Sequence, residues 1–247
     1  MNIYIVSIFP EIFDSFLATS LIKKAQEKKI LKFKIINPRN FCKDKHKQVD
    51  DTIYGGGAGM LMKAKPVIDA VESVIKKLSS GASAKDIKKL DSGCRLRPGD
   101  RNDFRIIFPS PAKNIFDQSK AHKLSKIQNL IFVCGRYEGI DYRWEQYMKK
   151  KYKSKFQKIS IGQFITLGGE TPTMTIIESI TRLIPGVIKE ADSWKYESYS
   201  VESKMNNLEH PQYTRPEEVL GMKVPKILLS GHHKNIGERK NKNSKKN

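Results

Sequence analysis

The run Leu130-Ile131-Phe132-Val133-Cys134, followed at once by Gly135, most constrains how this chain can fold. A short unbroken apolar stretch rich in β-branched residues suits a strand covered on both faces, as a parallel strand between two helical layers is. Residues 2–8, Leu31–Ile36, 105–108 and 158–161 read as further strands, and helical periodicity marks Pro10 to about Lys28, 65–78 and 116–127. Thr171-Pro172 opens another helix through Ile184, because Thr caps well and Pro is favoured at the first helical position; Pro185-Gly186 ends it. Strands alternating with helices predict an α/β fold with a mostly parallel sheet and flanking helices. In such sheets, ligands sit on loops beyond the carboxyl ends of strands. Two glycine-bearing loops occupy such places: Gly135-Arg136-Tyr137-Glu138-Gly139, and Ile161-Gly162 through Gly168-Gly169.

Around this core, 79–103 is rich in Ser, Gly, Lys and Arg and reads as a surface insertion. Residues 187–214 show no period and read as an interdomain linker, 215–239 as a small, truncated helical C-terminal domain, and 240–247 as a basic disordered tail. Charge then narrows the partner. Lys and Arg number 46 against 26 Asp and Glu, a net charge of +20, which favours a polyanion. Segment 21–47 carries ten basic residues against Glu27 and Asp44, and Lys149-Lys150-Lys151-Tyr152-Lys153-Ser154-Lys155 contains no acid. No basic segment has a clean apolar face, so lipid is the weaker polyanion. No apolar run approaches the ~18 residues of a spanning helix, and the first residues lack a basic leader, so a soluble cytoplasmic protein is expected. Cys42, Cys94 and Cys134 form no C-x-x-C pair and read as reduced thiols; the five histidines, including His232-His233, lack metal-ligand spacing. There is no P-loop and no G-x-S-x-G elbow. Gly55-Gly56-Gly57-Ala58-Gly59 fails the dinucleotide pattern, because Met60 stands at its last glycine and no short strand leads into it.

Singly, each glycine loop is an ordinary turn. Their company is more specific. Asp50-Asp51-x-x-Tyr54-Gly55-Gly56-Gly57-x-Gly59-Met60, Gly135-Arg136-Tyr137-Glu138-Gly139-Ile140-Asp141, Ser160-Ile161-Gly162 with Gly168-Gly169-Glu170, and Arg182-Leu183-Ile184-Pro185-Gly186-Val187 occur in that order. Tyr213-Thr214-Arg215-Pro216 and Val224-Pro225 with Leu229-Ser230-Gly231 follow. This set resembles the bacterial tRNA (guanine-N1)-methyltransferases, knotted enzymes that modify position 37, the guanine beside the anticodon. The resemblance runs from residue 1 to about Arg239, outside 79–103. It implies a trefoil knot in domain 1–186, S-adenosylmethionine as methyl donor, tRNA as substrate with no DNA or membrane partner, and a homodimer. Magnesium is a further candidate cofactor.

Methylating guanine N1 requires a base for its proton and a cation for the charge that then grows on O6. The resemblance assigns these roles to Glu197 and Arg182. It assigns the donor cradle to Phe108, Pro109, Ser110, Pro111, Gly135, Tyr137, Glu138, Gly139, Ile161, Gly162, Gln163, Phe164, Ile165, Thr166, Gly168, Gly169 and Pro172. A target base lifted from its stack needs aromatic and polar readers; Tyr54, Tyr199, Asp50, Asp51 and Ser193 are the candidates. Glu197 stands where the family pattern has Asp, and Gln163 where it has an acid. A weakened RNA- or cofactor-binding protein of the same fold, or a knotted methyltransferase of another RNA atom, are the alternatives.

Overall fold

The computed structural model describes residues 1–80, 103–189, 197–199 and 209–244, the last helix by its backbone beyond residue 239. The chain divides into two compact units, Met1–Lys189 and Glu190–Asn247.

In the first unit, β1 (Asn2–Val6) leads through a 3-10 turn, Pro10–Phe13, into α1 (Asp14–Leu17) and α2 (Ser20–Glu27). The single helix expected over Pro10 to Lys28 is therefore broken: Ser20 has φ +48, and the Thr19 hydroxyl bonds back to the Ser15 carbonyl. Such a local side-chain bond competes with helix continuation. β2 (Lys32–Ile36) is followed by the short antiparallel hairpin of β3 (Asp50–Thr52) and β4 (Met60–Met62). A strand thus does lead into Gly55–Gly59, against expectation. The loop still ends in a strand rather than a helix, so it is not a dinucleotide turn. α3 (Ala64–Ser80) continues through Ser79 and Ser80, inside the range 79–103 expected to be an insertion; 81–102 lies outside the described residues.

β5 (Phe104–Pro109), α4 (Gln118–Leu124), β6 (Asn129–Val133), α5 (Tyr142–Tyr152), β7 (Phe156–Ile159) and α6 (Glu170–Thr181) complete the unit. The main sheet has the order β2-β1-β6-β5-β7, and every neighbouring pair is parallel. The apolar run lies on its central strand, with Phe132 in register with Ile5 on one side and Ile107 on the other.

Strand side chains alternate faces, so each strand feeds two cores. Leu130, Phe132 and Cys134 join Ile3, Ile5 and Ile176, Ile177, Ile180 of α6 on one face. Ile131 and Val133 join Val67, Val71, Val74 of α3 and Trp144, Met148 of α5 on the other. Helix α5 was not foreseen. The Asp141 carboxylate caps it by accepting from the Arg143 N–H at 2.9 Å. Glu72 then fastens it to α3, its Oε1 accepting from Tyr147 at 3.0 Å, Lys151 at 2.8 Å and Tyr152 at 2.7 Å. Helix α6 starts at Glu170 with Gly169 at its cap, not at Thr171. Pro172 still falls in the first turn, where its missing N–H costs nothing.

Val187 is buried and Ile188 packs on the core, so the first unit extends into the stretch expected to be linker. The second unit, expected to be helical, contains a small hairpin of β8 (Glu218–Val219) and β9 (Met222–Lys223) before α7 (Lys226–Leu229) and α8 (His233–Ser244). The last helix runs into the segment expected to be disordered.

Candidate active site

The carboxyl ends of β5, β6 and β7 converge on one cavity of about 300 Å³, within the usual range for small-molecule sites. Phe108, Pro109, Ser110 and Pro111 enter it from the end of β5. Gly135, Tyr137, Glu138 and Gly139 come from the loop after β6. Ile161, Phe164, Ile165, Thr166, Gly168, Gly169 and Pro172 come from the segment between β7 and α6. Ile159, Ser160 and Leu167 line it as well and were not anticipated, although they lie between residues that were. Gly162 and Gln163 do not line it. The Phe164 ring folds over Gly162, where an added Cβ would collide with Cε1, and Ser160 ties Gly162 into a local turn.

The two loops meet without room to spare. The Gly169 N–H donates to the Gly135 carbonyl at 2.9 Å. A Cβ on Gly169 would stand 2.8 Å from the Cys134 Cα and 3.0 Å from the Gly135 nitrogen. Only glycine allows this backbone-on-backbone approach. After β7, at the sheet edge, the chain therefore returns across the ends of β5 and β6. It delivers Glu170 to the end of β1, where the Ser7 hydroxyl donates to Glu170 Oε1 at 2.7 Å.

Among the described residues, Glu138 is the only charged one in the cavity lining. With apolar walls and no Lys or Arg among those lining residues, the described part of the cavity offers little to a phosphate and suits a ligand that is neutral or carries positive charge. Cys134 lies beneath it, fully buried; burial, then the charge of Glu170, push its thiol well above the usual range. It is a packing residue.

The β3–β4 hairpin is docked on the same loop. Glu138 N–H donates to the Met60 carbonyl at 3.1 Å, Met62 N–H to Gly139 at 2.9 Å, and Asp141 N–H to Met62 at 2.9 Å. The expected substrate residues do not gather there. Asp51 and Tyr54 line a separate cavity of about 560 Å³ together with Lys63, Asp141 and Arg143. Tyr54 is 96% exposed, while Asp50 is buried and lines neither cavity. The Thr52 N–H, then Lys63 at 3.4 Å, hold the Asp51 carboxyl below the usual range.

Arg182 is at the far end of α6 from the first cavity. Thirteen helical steps at 1.5 Å separate it from Gly169 by about 20 Å. It lines a groove of about 540 Å³ with Phe16, Leu21, Ile22 and Glu178. Glu197 and Tyr199 belong to a turn in the second unit, Tyr199 exposed with φ +63. Ser193 lies outside the described residues.

Comparison with known proteins decides the family. The model of the family "tRNA (Guanine-1)-methyltransferase TrmD" matches residues 1–247. The chain belongs to this family. It is 41% identical over 236 residues to a tRNA (guanine-N(1)-)-methyltransferase of Dictyoglomus turgidum, covering 96% of this chain and 82% of the relative. It is 40% identical over 244 residues to that of Bacillus subtilis, covering 99% and 87%, and 41% over 244 residues to that of Clostridium perfringens, covering 99% and 88%.

Proposed function

We propose that this protein is a cytoplasmic homodimer that methylates N1 of guanine 37 in tRNA, with S-adenosylmethionine as donor. The carrying observation is the cavity where three strand ends meet, built from glycine backbone and apolar walls with Glu138 as its one charge among the described residues. That lining fits the donor. The apolar side chains Phe108, Ile161, Phe164 and Ile165 suit an adenine ring, and backbone amides around Gly135–Gly139 and Thr166–Gly169 suit its polar atoms. When bound, S-adenosylmethionine supplies an electrophilic methyl group on a sulfonium.

The remaining work belongs to the protein. Glu197 accepts the N1 proton, and the Arg182 guanidinium stabilises the negative charge that develops on O6 as it leaves. The distance along α6 supports the dimer: one chain's Arg182 is too far from its own cavity, so the cavity is served by Arg182 of a second copy. The return of the chain from edge strand β7 across β5 and β6 supports the trefoil knot. Asp50, Asp51, Tyr54, Ser193 and Tyr199 remain the proposed readers of the base. Magnesium keeps most of its own water and uses few carboxylates; activity with and without a chelator measures its part. No helix among the described residues is long and apolar enough to cross a membrane.

The test is incubation with methyl-labelled S-adenosylmethionine and two tRNA transcripts, one with G and one with A at position 37. Label is expected on the G transcript, at N1. An unlabelled G transcript would refute the reading.

A further inference from the structure

Beneath the cavity, one carboxylate joins three segments that are distant in sequence. Glu170 opens α6 and is 1% exposed. Its Oε1 accepts from Ser7, just past β1. Its Oε2 lies 2.8 Å from Nε of Arg136, in the loop after β6. That approach is an ion pair, and neither atom has a hydrogen-bond partner among the described residues. The Arg136 guanidinium also covers the Phe9 ring at 4.9 Å from its centre.

The backbone closes around this pair. A Cβ on Gly168 would lie 2.5 Å from Arg136 Nε and 2.6 Å from Glu170 Oε2. Arg136 thus fills the space between the two loops that wall the cavity, though neither it nor Glu170 lines the cavity itself. A buried charge is held only where a partner meets it, and removing one partner leaves the other uncompensated. The arrangement is therefore sensitive to loop spacing: moving either loop breaks the pairing.

We propose that the Glu170–Arg136 pair, braced by Ser7 and Phe9, is a positioning device that fixes the spacing of the two loops and thereby sets affinity for S-adenosylmethionine. This rests on reading the cavity as the cradle for that ligand. Preorganised loops bind more tightly because ordering costs are met before the ligand arrives.

The test titrates S-adenosylmethionine calorimetrically into the full-length wild type, Glu170→Gln, Arg136→Met and the double variant, with thermal unfolding of each. A neutral pair of similar volume often restores the stability lost when one partner of a buried ion pair is removed. The double variant is therefore expected to melt near the wild type yet bind at least ~10-fold more weakly, about 1.4 kcal/mol. Its KM for the donor should rise more than its kcat falls, since the pair touches no reacting atom. A double variant that regains both stability and affinity would overturn the inference, because the pair would then act through stability alone. Wild-type protein that fails to bind the donor would instead overturn the cradle reading, and this inference with it. If a single variant does not fold, the double variant decides.

Discussion

Gly169→Ala is the sharpest probe of the cavity, because it adds one methyl group where two backbones touch. The glycine is helix-compatible, with φ −79, so backbone strain does not enter. What enters is space: the new Cβ would meet the Cys134 Cα at 2.8 Å and the Gly135 nitrogen at 3.0 Å. Both are backbone atoms of a strand end and cannot rotate aside. The loops must separate, which strains the 2.9 Å bond from Gly169 N–H to the Gly135 carbonyl. Overpacking of this kind costs about 1–3 kcal/mol. For a unit of this size that lowers Tm by about 2–12 °C. Because the same movement opens the cavity, affinity for S-adenosylmethionine should fall at least ~10-fold, a change of ~1.4 kcal/mol. Differential scanning calorimetry and donor titration read the two effects. The control is Gly237→Ala, in helix α8, where an added Cβ meets nothing within 4 Å and helix propensity favours Ala by up to ~1 kcal/mol. A Gly169→Ala protein that melts and binds like the wild type would refute the argument that this close approach shapes the site.

Glu197→Gln should lower single-turnover methylation at least ~100-fold, the loss typical of a general base, while donor affinity changes little; near-normal rates would remove Glu197 from the chemistry. Arg182→Met and Gly169→Ala protomers should each be impaired alone, yet recover activity when mixed and allowed to exchange. Half of a two-fold mixture is heterodimer, and each heterodimer has one intact site, so the recovered share approaches roughly a quarter of wild type; no recovery would mean that Arg182 does not serve a neighbour's cavity. Native protein treated with iodoacetamide at neutral pH should leave Cys134 unlabelled by mass spectrometry, since burial and the nearby Glu170 charge keep its thiol protonated; labelling there would show the strand end to be open.

The parallel sheet was readable because a central strand buried on both faces needs an unbroken apolar run, and Leu130–Cys134 supplies one. The cavity was readable too, since its walls are backbone at strand ends and the glycines advertise them. What escaped reading depended on partners distant in sequence. Helix α5 has a long polar face, and its hold on the core comes from Trp144, Met148 and the contacts of Tyr147 and Tyr152 with Glu72, none visible from local period. The hairpin of Asp50–Thr52 and Met60–Met62 is too short to show alternation and is kept by its bonds to Glu138, Gly139 and Asp141. Arg136 and Glu170 stand far apart in sequence, and only the return of the chain after β7 makes them neighbours. The helix start was misplaced by one cue overriding another: Thr171-Pro172 is a good opening locally, but Gly169 is fixed first by its bond to Gly135.

Charge shows the same limit and leads to a different expectation for RNA binding. The stretch Lys149–Lys155 contains no acid in sequence, yet acids from elsewhere reach it. Glu145, one turn earlier, meets Lys149 at 2.6 Å and also Lys158 at 3.0 Å, and Glu72 of α3 meets Lys151 at 2.8 Å. Lys155 stands over the Phe104 ring at 4.3 Å, and burial pulls its ammonium below the usual range. Much of this cluster therefore serves the packing of α5. The segment 21–47 shows no such ion pair among the described residues, and Lys43, Lys45 and Lys47 are exposed there. Phosphate contacts release counterions, and each one lost should flatten the salt dependence of tRNA binding by roughly 0.7–0.9 in log-log slope. Replacing Lys43, Lys45 and Lys47 by Gln should accordingly lower the slope and the affinity while leaving Tm in place. Replacing Lys149 and Lys151 should lower Tm, because Glu145 and Glu72 lose partners, and leave the slope nearly unchanged. Filter binding across a salt series separates the two, and the opposite pattern would return the RNA surface to α5.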